Sequence, residues 1–145
     1  MKGYIQGLGG VPFWTLFYQQ EQLECFRDIC RSGSVVLHFD STGSVIKRLP
    51  EHNQPFYYTL PAAQDSMPVC EFLTTCHRHA WIMTIVDQFL NDVATLNSGR
   101  RTMPRTVIVD FSFAMIYAVL LAFNRSTPDA FILRCRGQLP RTNVP

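Results

Sequence analysis

The sequence predicts an α/β protein in which helices pack on a mixed sheet, with the elements in the order β-β-β-α-β-α. Three strand-length apolar runs precede a long amphipathic helix, and a fourth run leads into a second helix. Three leading strands followed by a βα unit are typical of a mixed sheet. The 145 residues, 47% hydrophobic and 17% charged, suffice for one domain with a core and exclude a disordered chain.

The N-terminal part shows little periodicity. Residues 1–18 mix glycine with aromatic residues and have no clear period. Within residues 20–30, apolar side chains recur at helical spacing, which predicts a short amphipathic helix that a glycine-bearing stretch then ends. We therefore interpret residues 1–34 as a lead-in with a short helix.

The predicted sheet begins with the run VVLHF. This run, residues 35–39, is apolar, rich in β-branched side chains and ends at Asp40, which favours a central strand. Residues 41–43 are typical of a turn, and residues 44–49 and 56–60 are the second and third candidate strands. The short connections predict an antiparallel meander.

The second half contains the clearest helix. Apolar residues form one broad stripe over residues 79–96. Residues 106–110 are another apolar run ending on an aspartate, and residues 113–123 predict a helix that is apolar all round and buried against a sheet. Residues 130–135 are a candidate last strand, and residues 137–145 are expected to be a loose tail.

Asp40 and Asp110 each follow an apolar strand. Ligand sites gather at the carboxyl ends of strands, so the two carboxylates would converge if the strands are adjacent and parallel. Close carboxylates raise each other's pKa, and a hard divalent cation such as Mg²⁺ or Mn²⁺ removes that penalty. Such a pair with metal ions can perform phosphoryl transfer. From spacing alone, helix capping and turn formation are the commoner roles of such aspartates.

Several motifs occur in a fixed order along the chain. The strings HFDSTGSVIKRL, FYYTL, MPVCEFLT and TVIVDFSFAMIYAVLLAFN follow a lead-in that holds Gly7-Leu8-Gly9 and Tyr18. Together, over about residues 7–124, they resemble the DDE/D transposase family found repeatedly in animal genomes. That family shows D-[AS]-T-G after its first strand and V-x-D-[FY]-S-x-A after its first long helix.

The resemblance implies a ribonuclease-H-like domain, here partial, over residues 35–136. That domain hydrolyses and transfers DNA strand ends with two metal ions, and Asp40 and Asp110 would be its first and second catalytic acids and metal ligands. The family's third acid lies on a helix far downstream, whereas Asp129 is the one side-chain carboxylate after Asp110 and is typical of a turn or cap. We expect a truncated, transposase-like fragment that is inactive by itself and binds Mg²⁺ or Mn²⁺ weakly.

Other polar residues near these motifs have less specific interpretations. Lys47, Arg48 and Arg105 are candidate phosphate contacts, although a net charge of +2 is too small to imply a nucleic-acid partner by itself. We expect His38 to face the side of its strand opposite to Asp40 and to be a core histidine.

The cysteines and histidines give no regular metal motif. Cys70, Cys76, His77 and His79 are spaced irregularly for zinc, so buried cysteine and surface histidine are the simpler interpretation. An odd number of cysteines and the lack of an N-terminal apolar stretch favour an intracellular protein that is not secreted. The resemblance to transposases implies that it acts in the nucleus.

Two other functions remain open. One is a regulatory module that binds DNA or an intact transposase without catalysis, or that self-associates through uncovered apolar faces. The other is a small membrane-associated protein that uses the nearly all-apolar residues 107–123. That segment is slightly short for a span of about 20 residues and contains Asp110, so a buried strand leading into a buried helix is the better interpretation.

Overall fold

A six-stranded sheet and four helices make up the part of the chain that the computed structural model describes, which is residues 3–33, 36–43, 47–48, 50, 53–62 and 68–138. The strands are β1 (Ile5–Gly9), β2 (Trp14–Phe17), β3 (Val36–Gly43), β4 (Phe56–Pro61), β5 (Pro68–Thr74) and β6 (Thr106–Val109). The helices are α1 (Gln20–Ser32), α2 (His79–Leu96), α3 (Phe113–Asn124) and α4 (Pro128–Gln138).

The sheet is open and mostly antiparallel. Its strand order is β1-β2-β5-β4-β3-β6, so β1 and β6 are the two edges. Neighbouring strands are antiparallel along the sheet except at one edge, where β3 and β6 are parallel. The predicted class, a mixed sheet with helices packed on it, is confirmed.

One face of the sheet forms the core with the helices. Leu37 and Phe39 of β3 are buried, whereas the alternate residues His38 and Asp40 are partly or fully exposed. This two-residue period gives β3 a core face and a solvent face. The core combines apolar side chains from the strands and from α1, α2 and α3, including Leu23, Phe26, Tyr58, Phe72, Ile82, Phe89 and Met115.

Both helices predicted in the first hundred residues are present. The α1 helix begins with a capping box, in which the Gln19 backbone N–H donates to the Gln22 side chain at 2.7 Å. It ends at Gly33, whose φ of 66° is a left-handed conformation that glycine adopts at low cost. The α2 helix spans His79–Leu96, the range that the apolar stripe predicts.

The meander is antiparallel, but it is built partly from other segments than those predicted. The first strand does not end at Asp40, because β3 continues to Gly43 along β4. Residues 44–46 and 49 of the second candidate strand lie outside the described residues, and positions 47 and 48 have no regular structure. The third meander strand is β5, which the sequence did not predict.

The prediction of a strand at residues 130–135 is wrong, because these residues belong to α4. The segment Thr127-Pro128-Asp129 starts this helix, with the Ala130 N–H donating to the Thr127 hydroxyl at 3.3 Å. Proline in the first helical position is well placed there, because no intrahelical hydrogen bond needs its missing N–H. Residues 139–145 of the expected tail lie outside the described residues.

The N-terminal segment contributes two strands to the sheet, which the sequence did not predict. Glycines interrupt the alternation of side chains that would have predicted these strands. At Gly7, packing explains why the residue is a glycine. A Cβ added at Gly7 would lie 2.6 Å from Cζ3 of Trp14, so the indole ring packs directly on this part of the β1 backbone.

Residues 107–123 are divided between β6 and α3, as the sequence predicts. Among the described residues, no helix is long and apolar enough to cross a membrane. The burial predicted for this all-apolar helix holds for one side of α3 and not for its start. Met115, Ala118 and Ala122 are buried, whereas Phe113 in the first turn is exposed.

Candidate functional site

The parallel pairing of β3 and β6 brings Asp40 and Asp110 together. Phe39 pairs with Val109 in the register of the two strands, and the two aspartates follow directly after this pair. Both residues are exposed. Asp40 lies inside β3, at the level where the neighbouring strand β6 ends. The two carboxylates therefore meet at a corner of the sheet, and only Asp110 follows the end of its strand.

The two carboxyl groups interact. A hydrogen bond with the Asp40 carboxyl, followed by the Coulomb repulsion of its charge, raises the pKa of Asp110. One Asp40 carboxylate oxygen also accepts a hydrogen bond from the Ser41 backbone N–H at 2.7 Å. Two carboxyl groups this close repel each other when both are ionised, and a bound cation would relieve that repulsion.

Helix capping does not account for Asp110. The N-cap of α3 is Ser112, and its side chain makes no capping hydrogen bond. The Ser112 backbone N–H donates to the Asp110 carbonyl oxygen at 2.6 Å. The Asp110 carboxyl therefore interacts with Asp40 and does not cap α3.

A cavity of about 340 Å³ adjoins the pair and is lined in part by His38, Thr59 and Ile108. The expectation that His38 and Asp40 face opposite sides is wrong, because residues two apart on a strand share a face. His38 is therefore a partly exposed neighbour of the carboxylates and not a core histidine. Thr59 pairs with Asp40 across β3 and β4, which puts a hydroxyl group on the same face.

The donor set fits a hard cation with few protein ligands. Carboxylate and hydroxyl oxygens suit Mg²⁺ and Mn²⁺, and Mg²⁺ is often bound by one or two carboxylates with water and phosphate completing its shell. Among the described residues, no group of three or more His, Cys, Asp or Glu side chains is arranged to hold a metal ion. Asp40 and Asp110 would therefore hold the cation alone or with Thr59.

The candidate phosphate-binding residues lie in two places. Lys47 and Arg48 are exposed and follow the carboxyl end of β3. Arg105 is exposed just before β6, about 16 Å along the strand from Asp110 at 3.3 Å per residue. The structure thus places Arg105 near the opposite end of the strand from the carboxylates.

Cys70, Cys76, His77 and His79 do not form a metal group. Burial raises the pKa of the Cys70 thiol, which disfavours the thiolate that zinc requires. His77 lies 3.2 Å from the Tyr58 hydroxyl and 3.2 Å from a backbone carbonyl oxygen, so both ring nitrogens have partners.

Two features near the site were missed by the sequence interpretation. Phe111 and Phe113, beside Asp110, are 91% and 72% exposed. The continuous apolar run around them predicted burial and gave no signal of exposure. An apolar groove of about 440 Å³, lined by residues including Val107, Val119 and Ile132, lies between β6, α3 and α4.

Comparison of the chain with models of protein families, with curated proteins and with solved structures finds no match. A function for the chain is therefore inferred from the geometry of the site and from its sequence motifs. The main component of this geometry is the interaction between Asp40 and Asp110.

Proposed function

We propose that the chain is part of a ribonuclease-H-like DNA-processing domain of the DDE/D transposase type. In this proposal Asp40 and Asp110 bind a divalent cation at the sheet corner, and the cation binds a DNA phosphate. The protein would work where it has access to DNA, in the nucleus. The observation that carries the proposal is the interaction of two exposed carboxyls across a parallel strand pair.

The order of elements around the site supports this proposal. Three antiparallel strands, β3, β4 and β5, are followed by α2, then by β6 parallel to β3, and then by α3. From β3 to α3 the elements thus have the order β-β-β-α-β-α that the apolar runs predict, with β1, β2 and α1 before them. The two aspartates also occupy the two positions in D-S-T-G and V-x-D-F-S that the resemblance assigns to catalytic acids.

The residues of the chain would hold and orient a cation and a phosphate. When bound, Mg²⁺ or Mn²⁺ supplies charge that activates an attacking oxygen and stabilises a leaving oxygen. Asp40 and Asp110 would coordinate the cation, and their solvent-exposed position leaves room for a phosphate and water. Lys47 and Arg48 would add positive charge beyond the end of β3.

We further propose that this chain alone does not cleave or transfer DNA. The family uses three acids, and the described residues hold two near one another. Asp129 lies in the first turn of α4, at the far end of α3 from Asp110. Loss of one ligand weakens the binding of the cation and shifts its position, and this removes most of the rate of phosphoryl transfer.

Metal binding by the purified chain tests the proposal directly. With a dissociation constant of about 1 mM, 10 mM Mn²⁺ stabilises the native state by about 1.4 kcal/mol, or about 3–6 °C in Tm. Asp40→Asn and Asp110→Asn should abolish this shift, and the matched control Asp129→Asn should retain it. An equal shift in all four proteins, or no shift in any, would show that the carboxylate pair is not a metal site.

A nicking assay on supercoiled DNA tests the predicted inactivity. We expect no metal-dependent nicking above the level of the Asp40→Asn variant. Nicking by the wild-type chain that disappears in Asp40→Asn would contradict the inactivity and leave the metal site in place.

The apolar groove favours a second candidate function, a regulatory module that binds an intact transposase or another copy of itself. Beyond β6 the sheet edge is unpaired among the described residues, and the groove beside it is lined by apolar side chains. Light scattering after size exclusion would test self-association. A concentration-dependent dimer that Ile132→Asp, at an exposed position of the groove, disrupts would support this candidate, and a monomer at all concentrations would exclude self-association.

A further inference from the structure

The two exposed phenylalanines beside the carboxylate pair need an explanation. Of the eleven phenylalanines, all of which the structure describes, Phe111 and Phe113 are the exposed ones. Burying one such ring normally stabilises a protein by about 1.5–3 kcal/mol, so leaving two in water forgoes stability. Their ring centroids are 5.9 Å apart at an angle of 58°, so they form one patch rather than two isolated side chains.

The patch lies at the site and not elsewhere on the surface. Phe111 directly follows Asp110, and Phe113 starts α3. A nucleic-acid strand that is bound at the carboxylate pair could therefore extend over these rings. This position distinguishes them from the other exposed apolar side chains, such as Leu8 in β1 and Leu133 in α4.

A cationic side chain and a histidine lie at the same end of the molecule, because α2 and α3 run parallel. The His79 and Tyr117 rings are 5.2 Å apart near the amino ends of the two helices. Further along, Asp87 of α2 contacts Arg125 at the end of α3 at 3.4 Å. Arg78 and His79 are exposed at the start of α2, and neither helix has an acidic residue in its first turn.

We propose that Phe111 and Phe113 are a stacking platform for unpaired bases, with Arg78 and His79 as phosphate contacts. This inference rests on the proposed function and specifies its substrate class as a DNA strand that is single-stranded at the site. Exposed aromatic rings combined with positive charge, here that of Arg78, are what binds single strands, because every unpaired base offers a face for stacking. In a duplex the base faces are already stacked, so the platform selects against it.

Fluorescence anisotropy with a labelled fifteen-nucleotide oligo-dT and a labelled duplex of equal length tests the inference. We expect tighter binding of the single strand in EDTA, with a further gain in Mn²⁺. Phe111→Leu keeps an apolar side chain but removes the aromatic face, and should weaken single-strand binding between about fivefold and 150-fold. Phe131→Leu, the same change in α4, is the matched control and should leave binding unchanged.

Two further measurements identify the contacts. A 2-aminopurine base in the single strand should lose fluorescence on binding to the wild type and less so on binding to Phe111→Leu/Phe113→Leu. Arg78→Gln should lower the salt dependence of binding without changing the quenching. Both phenylalanines are exposed, so these variants are expected to fold as the wild type does.

The inference is overturned if duplex and single strand bind equally, or if the double phenylalanine variant binds like the Phe131→Leu control. If the variants instead abolish a dimer, the patch is a protein interface and the inference is also wrong. Its failure is separable from failure of the proposed function. The Mn²⁺-induced thermal shift tests Asp40 and Asp110, whereas base stacking measured in EDTA tests the phenylalanines alone.

Discussion

Replacing Asp87 with alanine tests the packing that keeps α2 parallel to α3. Asp87 lies in α2 and binds Arg101, in the segment between α2 and β6, through two hydrogen bonds of 2.8 and 3.1 Å. Arg125 at the end of α3 adds a contact of 3.4 Å. This arrangement connects α2, the segment before β6 and the end of α3.

The expected magnitude follows from burial. The Asp87 and Arg101 side chains are 25% and 23% exposed, so solvent screens their interaction less than that of a surface pair. Exposed pairs contribute about 0.2–1 kcal/mol, and hydrogen bonds to charged groups about 1.5–3 kcal/mol. We expect Asp87→Ala to lower the free energy of unfolding by about 1–2 kcal/mol and Tm by about 3–6 °C.

Urea unfolding of the wild type, Asp87→Ala, Arg101→Ala and the double variant gives the coupling energy, which we expect to be about 1 kcal/mol. Asp28→Ala is the control, because Asp28 is 62% exposed in its ion pair and should lower the free energy of unfolding less than Asp87→Ala does. A coupling below about 0.3 kcal/mol would refute the reasoning.

The pH dependence supplies an independent check. The hydrogen bond from Arg101 lowers the pKa of Asp87 in the native state. A lowered native pKa stabilises the fold above the unfolded value of about 3.9 and loses this effect as pH falls through the native value. The stability difference between the wild type and Asp87→Asn should therefore be constant near neutral pH and shrink below about pH 4.

Three other changes test separate parts of the structure. Phe89→Leu removes two edge-to-face ring contacts, at centroid distances of 5.3 and 5.0 Å, and should cost about 1–3 kcal/mol in urea unfolding. Gly7→Ala puts a Cβ against the Trp14 ring, so it should shift the tryptophan emission and lower the free energy of unfolding by about 1–3 kcal/mol. Unchanged emission would argue against this contact. Asp110 has a raised native pKa, so its ionisation destabilises the fold as pH rises through that value. In EDTA, Asp110→Asn should therefore melt higher than the wild type at pH 7 and equally at pH 3, and a lower Tm at pH 7 would contradict the carboxyl interaction.

The spacing of apolar residues correctly predicted an element when its buried side stays the same along its whole length. The α2 helix has a continuous apolar stripe along one side, and its predicted range agrees with the structure. The β1 and β2 strands were missed because glycines in β1 contribute no side chain to the alternation and instead leave room for Trp14. In α4, apolar content suggested a strand, but the Thr-Pro-Asp start favours a helix whose side chains are largely exposed.

The site was predictable to the extent that it depends on strand register. Two aspartates after two apolar runs lie side by side once the strands pair in parallel, as β3 and β6 do. The exposure of Phe111 and Phe113 could not be predicted, because composition does not show which side of a helix start packs on its neighbours. His38 was assigned to the wrong face, although the two-residue period of a strand already places it beside Asp40.

Metal binding and catalysis make different demands on this site. Two adjacent carboxyls whose interaction raises the pKa of Asp110 favour any cation that relieves their repulsion, and this needs no third acid. Phosphoryl transfer also needs the cation to be held in one position relative to the reacting phosphate, which two exposed ligands do not ensure. Under the proposed function, a chain with this corner would therefore bind Mn²⁺ and a DNA strand without cleaving it. A thermal shift that depends on Asp40, together with an absence of nicking, is the combination of results that this reasoning requires.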